Sequence, residues 1–163
     1  MKIGIGYDSH PLVAGLPLII GGVTIPFDKG LKGHSDADVL IHAVIDAILG
    51  AAALGDIGTH FPDSDPAYRG ISSRELLKKT AALVRGKSLR VGNIDSVVIA
   101  AAPKLASHFP AMARAISSDL GIRPDQISVK AKSTNGTEIL GQHEAIAATS
   151  VCLLIDAKTT GAV

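Results

Sequence analysis

Residues 36–53 place the strongest constraint on the fold of this chain. Val39, Leu40, Ala43, Val44, Ala47 and Ile48 recur at helical spacing and make a wide apolar face, with Ser35 available as N-cap. A face of that width has to be covered, and the flanking patterns supply the cover. Residues 2–7 alternate small and apolar side chains, while 18–20 and 23–25 read as two short strands around Gly21-Gly22. Ser72-x-x-Glu75 has the form of a capping box opening a helix over 74–85 that Gly86 ends. Residues 110–120 form a third helix closed by Gly121, and the β-branched stretches 90–101, 127–132 and 145–156 read as strands. The expectation is a single α+β domain over residues 1–157, a mixed β-sheet with helices packed on one face, followed by a loose tail at 158–163.

Composition narrows the partners. Lys and Arg number 16 against 15 Asp and Glu, so no broad field for nucleic acid or an anionic membrane is expected and any anion must be held locally. No apolar run reaches the ~20 residues of a membrane span. The single cysteine, Cys152, lies in an apolar run and reads as a buried thiol, which fits a reducing, cytoplasmic setting. Hydrophobic residues make up 47% of the chain but aromatics only 3%, so the core is packed from small aliphatic side chains whose smooth elements can also pack against copies of themselves.

Several segments could carry chemistry. In Asp8-Ser9-His10, residues two apart at a strand end project to one side. Asp38, His42 and Asp46 form a polar stripe on the apolar helix. A lone helical histidine is most often a surface residue, but Asp8, His10 and His42 together would give zinc three ligands and an open fourth position, with Asp38 or Asp46 orienting an imidazole from behind. Spacing alone does not bring the two segments together. Gly33-His34-Ser35-Asp36 reads either as an ordinary helix cap or as a loop offering helix amides to phosphate. The turn-rich stretch with Asp56, Ile57, Gly58, Phe61, Pro62, Asp63, Ser64 and Asp65 is a candidate binding loop or a set of solvated Asp turns. Ala100, Ala101, Ala102, Pro103, Lys104, Leu105 and Ala106 would let a flat base approach the backbone, or mark a plain strand exit. Lys132, Ser133, Thr134 and Asn135 make a plausible polar clamp for a diphosphate.

Taken in order, these pieces resemble the 2-C-methyl-D-erythritol 2,4-cyclodiphosphate synthase family of the non-mevalonate isoprenoid pathway. The resemblance rests on Gly6-Tyr7-Asp8-Ser9-His10, Gly33-His34-Ser35-Asp36-Ala37-Asp38-Val39 with His42, Ala51-Ala52-Ala53-Leu54-Gly55-Asp56-Ile57-Gly58, Phe61-Pro62-Asp63 and Ala102-Pro103-Lys104. It implies a phosphorus–oxygen lyase in isoprene biosynthesis, with Asp8, His10 and His42 as zinc ligands and His34 and Ser133 as transition-state stabilisers. Ser133 stands where the family has a threonine. It further implies that residues 56–58 and 61–65 hold the methylerythritol part, that residues 100–106 and 132–135 hold the cytidine diphosphate, and that Ser35 binds substrate. A magnesium or manganese ion would sit on the diphosphate, and three copies would pack their sheets together as a homotrimer with shared sites. The chain departs from the family pattern at Asn135, where a glutamate is common, with Glu138 as a substitute. It also departs at Ile139, Gln142 and His143, around a central cavity where any isoprenoid diphosphate would lose its arginine partner. The rival readings are a zinc-dependent phosphohydrolase and a non-catalytic trimeric nucleotide or isoprenoid-diphosphate binding protein.

Overall fold

The computed structural model describes residues 1–133 and 145–158. Its elements run β1 (Lys2–Ala14), β2 (Leu18–Ile20), β3 (Val23–Ile25), β4 (Lys29–Leu31), α1 (Val39–Ala51), α2 (Ile57–His60), α3 (Ser73–Gly86), β5 (Leu89–Ile99), α4 (Phe109–Leu120), β6 (Ile127–Lys132) and β7 (Ala145–Asp156). The main sheet has the order β4-β1-β7-β5-β6, in which only β5 and β6 pair in parallel. It is therefore mixed, as expected. β2 and β3 form a separate hairpin around Gly21 and Gly22, whose φ of 62° and 73° suit the tight turn. No helix among the described residues is long and apolar enough to cross a membrane.

Helix α1 lies directly on β1, β7 and β5, and every residue of it except Asp46 and Gly50 is buried. The close seating depends on Gly4 and Gly6. A Cβ on Gly6 would fall well inside contact distance of the Ala43 carbonyl oxygen and 2.6 Å from the Ala47 nitrogen. The opposite face of β1 is bare, with Ile3, Ile5 and Tyr7 exposed at 74%, 69% and 56% and Val151 of β7 beside them. Such a row of large apolar groups is unusual for a finished surface.

Helix boundaries differ from the sequence pattern in three places. α1 starts at Val39 with Asp38 as N-cap, because Ala37 turns to a φ of 57° and the Asp38 carboxylate accepts the Ile41 N–H at 3.0 Å. Ser35 is not the cap. Ser72 stands at the N-cap of α3 but makes no side-chain cap bond, so the expected capping box is absent; Glu75 instead pairs with Lys78 at 2.7 Å. Gly86 belongs to α3, and the left-handed residue after it is Ser88. α4 ends as the pattern indicates, at Gly121 with a φ of 70°.

Cys152 is buried in the sheet beneath α1, and burial pushes its thiol up to about 12. Native protein at pH 8 should therefore resist iodoacetamide and become labelled only on unfolding, as read by mass spectrometry. Because an unfolded thiol ionises near 9 and the buried one does not, stability should fall as pH rises between those values. Cys152→Ala should lose part of that fall. Rapid labelling of folded protein would show that the strand opens.

Candidate functional site

Strand β1 and helix α1 bring Asp8, His10 and His42 to one point. Asp8 Oδ2 lies 2.9 Å from His10 Nε2 and 3.0 Å from His42 Nδ1, and the two ring nitrogens are 3.1 Å apart. The register explains the meeting, since Asp8 and His10 lie on the stretch of β1 directly after the glycines on which α1 rests. Three hard or borderline donors so arranged could hold a metal ion. The other ring nitrogens are already engaged, His10 Nδ1 with the Lys32 carbonyl at 3.1 Å and His42 Nε2 with the Ser73 and Ser35 hydroxyls at 2.8 and 3.0 Å. That outer support is the usual companion of imidazole ligands. Burial disfavours charge on Asp8, yet hydrogen bonds to His10 and His42 and their charge hold its carboxyl well below the usual range. Burial likewise works against the charged form of His10, and the Asp8 and Lys32 contacts overcome it to raise its pKa.

These three residues form one wall of a cleft of roughly 390 Å³ that is also lined by His34, Ser35, Ile57, Gly58, Phe61, Pro62, Asp63, Tyr68 and Leu76. Ile57, Gly58, Phe61, Pro62 and Asp63 of the turn-rich stretch thus face the same cleft as Asp8, His10 and His42. Asp46 accepts the Ile57 N–H at 2.8 Å, and Asp56 caps α2 through Thr59, which together fix Ile57 and Gly58 at the cleft. Phe61 packs edge-on against Tyr68 with ring centroids 5.5 Å apart. His34 Nε2 is buried without a hydrogen-bond partner among the described residues, so an oxygen-rich ligand in the cleft would find an imidazole ready to bond.

Other expected residues lie elsewhere. The Asp38 carboxylate does not bond to the His42 imidazole; the two residues meet only through the His42 backbone N–H and the Asp38 carbonyl at 2.9 Å. It is fully buried and accepts the Gly21 and Gly22 amides at 2.8 and 2.6 Å besides that of Ile41, so its carboxylate, not a phosphate, occupies the amino terminus of α1. Of the two readings of residues 33–36, the helix cap is made by Asp38, while His34 and Ser35 remain on the cleft wall. Asp46 serves α2 and not the imidazole. Asp56, Ser64 and Asp65 do not line the cleft, and Asp65 caps a short turn through the Ala67 N–H at 2.9 Å. Residues 100–106, Lys132 and Ser133 lie outside the cleft wall, at the ends of β5 and β6. Thr134, Asn135, Glu138, Ile139, Gln142 and His143 fall outside the described residues.

The sequence reading missed Ser73, Tyr68 and Leu76. Ser73 had one available signal, a second serine at a helix start, but it was absorbed into the capping pattern of Ser72.

Comparison with known proteins agrees with this geometry. The YgbB family model matches residues 1–155. The 2-C-methyl-D-erythritol 2,4-cyclodiphosphate synthase of Bordetella petrii is 58% identical over 157 residues, covering 96% of this chain and 97% of that protein. The bifunctional IspDF of Campylobacter jejuni superposes with a TM-score of 0.91 at 40% identity, over 96% of this chain and 43% of that longer one. A CDP-bound structure of 2C-methyl-D-erythritol-2,4-cyclodiphosphate synthase superposes with a TM-score of 0.87 at 36% identity, over 94% of this chain and all of that one.

Proposed function

The chain belongs to the YgbB family, and from that membership we propose that it converts 4-diphosphocytidyl-2-C-methyl-D-erythritol 2-phosphate to 2-C-methyl-D-erythritol 2,4-cyclodiphosphate and CMP. One observation carries the reading: three donors converge on a single point in a cleft where an unpartnered His34 nitrogen is buried. An oxygen of the 2-phosphate attacks the β-phosphorus, a new P–O bond forms, and the bond to CMP breaks with CMP leaving as an anion. The nucleophile is already an anion, so a strong general base is not required. The protein's contribution is positioning and charge neutralisation.

Asp8 Oδ2, His10 Nε2 and His42 Nδ1 would hold the metal, with zinc favoured by two imidazoles and one carboxylate. A divalent ion there supplies Lewis acidity and neutralises phosphate charge. His34 donates to the diphosphate, while Ile57, Gly58, Phe61, Pro62 and Asp63 hold the methylerythritol end. Ser133 and residues 100–106 belong to the nucleotide half of the site. Ile99 pairs with Ala147, which pairs with Ser9, so the end of β5 stands two strand spacings, roughly 10 Å, from the ligands within one chain. The family resemblance is what gives completion of that half to a neighbouring copy.

The bare face of β1 supports the same assembly, a homotrimer in which Ile3, Ile5 and Tyr7 pack against neighbours. Light scattering should give three times the 16.7 kDa chain mass. Ile5→Asp should give folded monomers without turnover, because a carboxylate there is harmless in water and costly in a dry interface. A trimeric, active Ile5→Asp protein would place the interface elsewhere.

The reaction itself is tested by incubating purified protein with the diphosphocytidyl substrate and looking for the cyclic diphosphate and CMP. A zinc phosphohydrolase would instead release a linear phosphate carrying oxygen from solvent. That product would overturn the cyclising reading.

A further inference from the structure

His42 Nε2 meets a hydroxyl whose own partner is a carboxylate on a distant loop. Ser73 is the first residue of α3 and fully buried. Its Oγ lies 2.8 Å from His42 Nε2 and bonds on its other side to Asp36 Oδ1. Asp36 also accepts the Ser73 backbone N–H at 3.0 Å and the Asp38 N–H at 3.3 Å, so α3 begins on this carboxylate. Ser35 Oγ, 3.0 Å from the same imidazole nitrogen, accepts the Ala37 N–H at 3.2 Å.

The direction of the protons follows from what each group can do. An ionised carboxylate only accepts, so the single Ser73 proton is committed to Asp36. The Ser73 oxygen can then only accept from His42, which requires the imidazole proton on Nε2. In the neutral ring that a metal binds, Nδ1 then keeps its lone pair, 3.0 Å from Asp8 Oδ2 and 3.1 Å from His10 Nε2; only a doubly protonated ring could also donate from Nδ1 to Asp8. Ser35 alone would not decide this, because a hydroxyl with a free proton can serve either tautomer. From this geometry we infer that Asp36 and Ser73 form a positioning relay that holds His42 in its metal-binding tautomer and orientation. The relay rests on the proposed metal site. It adds that the affinity of that site is set from the amino terminus of α3.

Two variants separate the relay from a simple structural role. Ser73→Ala removes the acceptor. Asp36→Asn keeps the shape and can still accept the Ser73 backbone N–H, but its amide can donate to Ser73 Oγ and release the serine proton toward Nε2. Zn²⁺ alone is titrated against a chromogenic chelator, with the unfolding midpoint and the ¹⁵N shifts of neutral His42 measured on the same metal-free samples. Zn²⁺ affinity should fall about 10- to 100-fold in both variants. The Asp36→Asn midpoint should stay close to wild type while its His42 proton population moves toward Nδ1. Ser73→Thr, if it folds, should restore most of the affinity. Asp36→Asn protein that binds Zn²⁺ within about threefold of wild type, or wild-type His42 carrying its proton on Nδ1, would overturn the relay even if Ser73→Ala proved too unstable to measure. Failure of the metal site itself is distinguishable, since His42→Ala would then bind Zn²⁺ as tightly as wild type.

Discussion

His42→Ala should bind no stoichiometric zinc and lose turnover by about a thousandfold or more, while keeping its fold. The turnover loss corresponds to the several kcal/mol of transition-state charge stabilisation that a bound metal supplies. The fold should survive because the imidazole is set among polar groups, Asp8, His10, Ser35 and Ser73, and outside the apolar packing of α1. Alanine also suits a helix interior. Its removal leaves Asp8 and His10 as a two-donor site. Metal analysis, circular dichroism and a discontinuous assay for CMP decide the matter together. Full zinc content in the variant would remove His42 from the ligand set, and gross unfolding would assign it a structural role instead.

Gly6→Ala should damage the fold and the site at once. The new methyl group would be driven into backbone atoms of α1, near the Ala43 carbonyl and 2.6 Å from the Ala47 nitrogen, and backbone in a buried helix cannot rotate aside as a side chain can. The helix must shift from the sheet. Overpacking of this kind costs about 3 kcal/mol at the upper end of the usual range, which for a chain of this size lowers the unfolding midpoint by about 10 °C. Asp8 and His10 lie on the strand and His42 on the helix, so the same shift pulls the ligands apart. Metal distances tolerate only about 0.2 Å, and zinc affinity should fall with stability. Gly50→Ala is the control. Its Cβ would meet only the Ile5 carbonyl at 3.8 Å, so helix propensity should leave that variant at least as stable as wild type. Unchanged stability and zinc binding in Gly6→Ala would mean that α1 does not rest on β1 as described.

Much of the site was legible because its signals are local. Asp8 and His10 alternate at a strand end, and His42 is the imidazole of a helix whose only other polar side chain is Asp46. Period two and period three to four are properties of short windows, and they survive without knowledge of the fold. The donor atoms of the two segments meet at one point, however, only because glycines at 4 and 6 let the helix settle onto the strand. Nothing in either window states that depth.

Hydrogen-bond allegiance was the part hidden from the sequence. Asp38 and Asp46 looked interchangeable around His42, yet Asp38 serves the Gly21–Gly22 turn with the Ile41 amide and Asp46 the Ile57 amide, while Asp36 reaches Ser73. The Asp36–Ser73 and Ser73–His42 contacts join residues 37 and 31 positions apart. Side-chain periodicity determined the central helix and the strands other than β4, because burial of an apolar face depends on spacing along the chain. Tertiary packing decided which buried carboxylate serves which donor, because a desolvated polar group must bond to whatever the folded chain brings within about 3 Å of it.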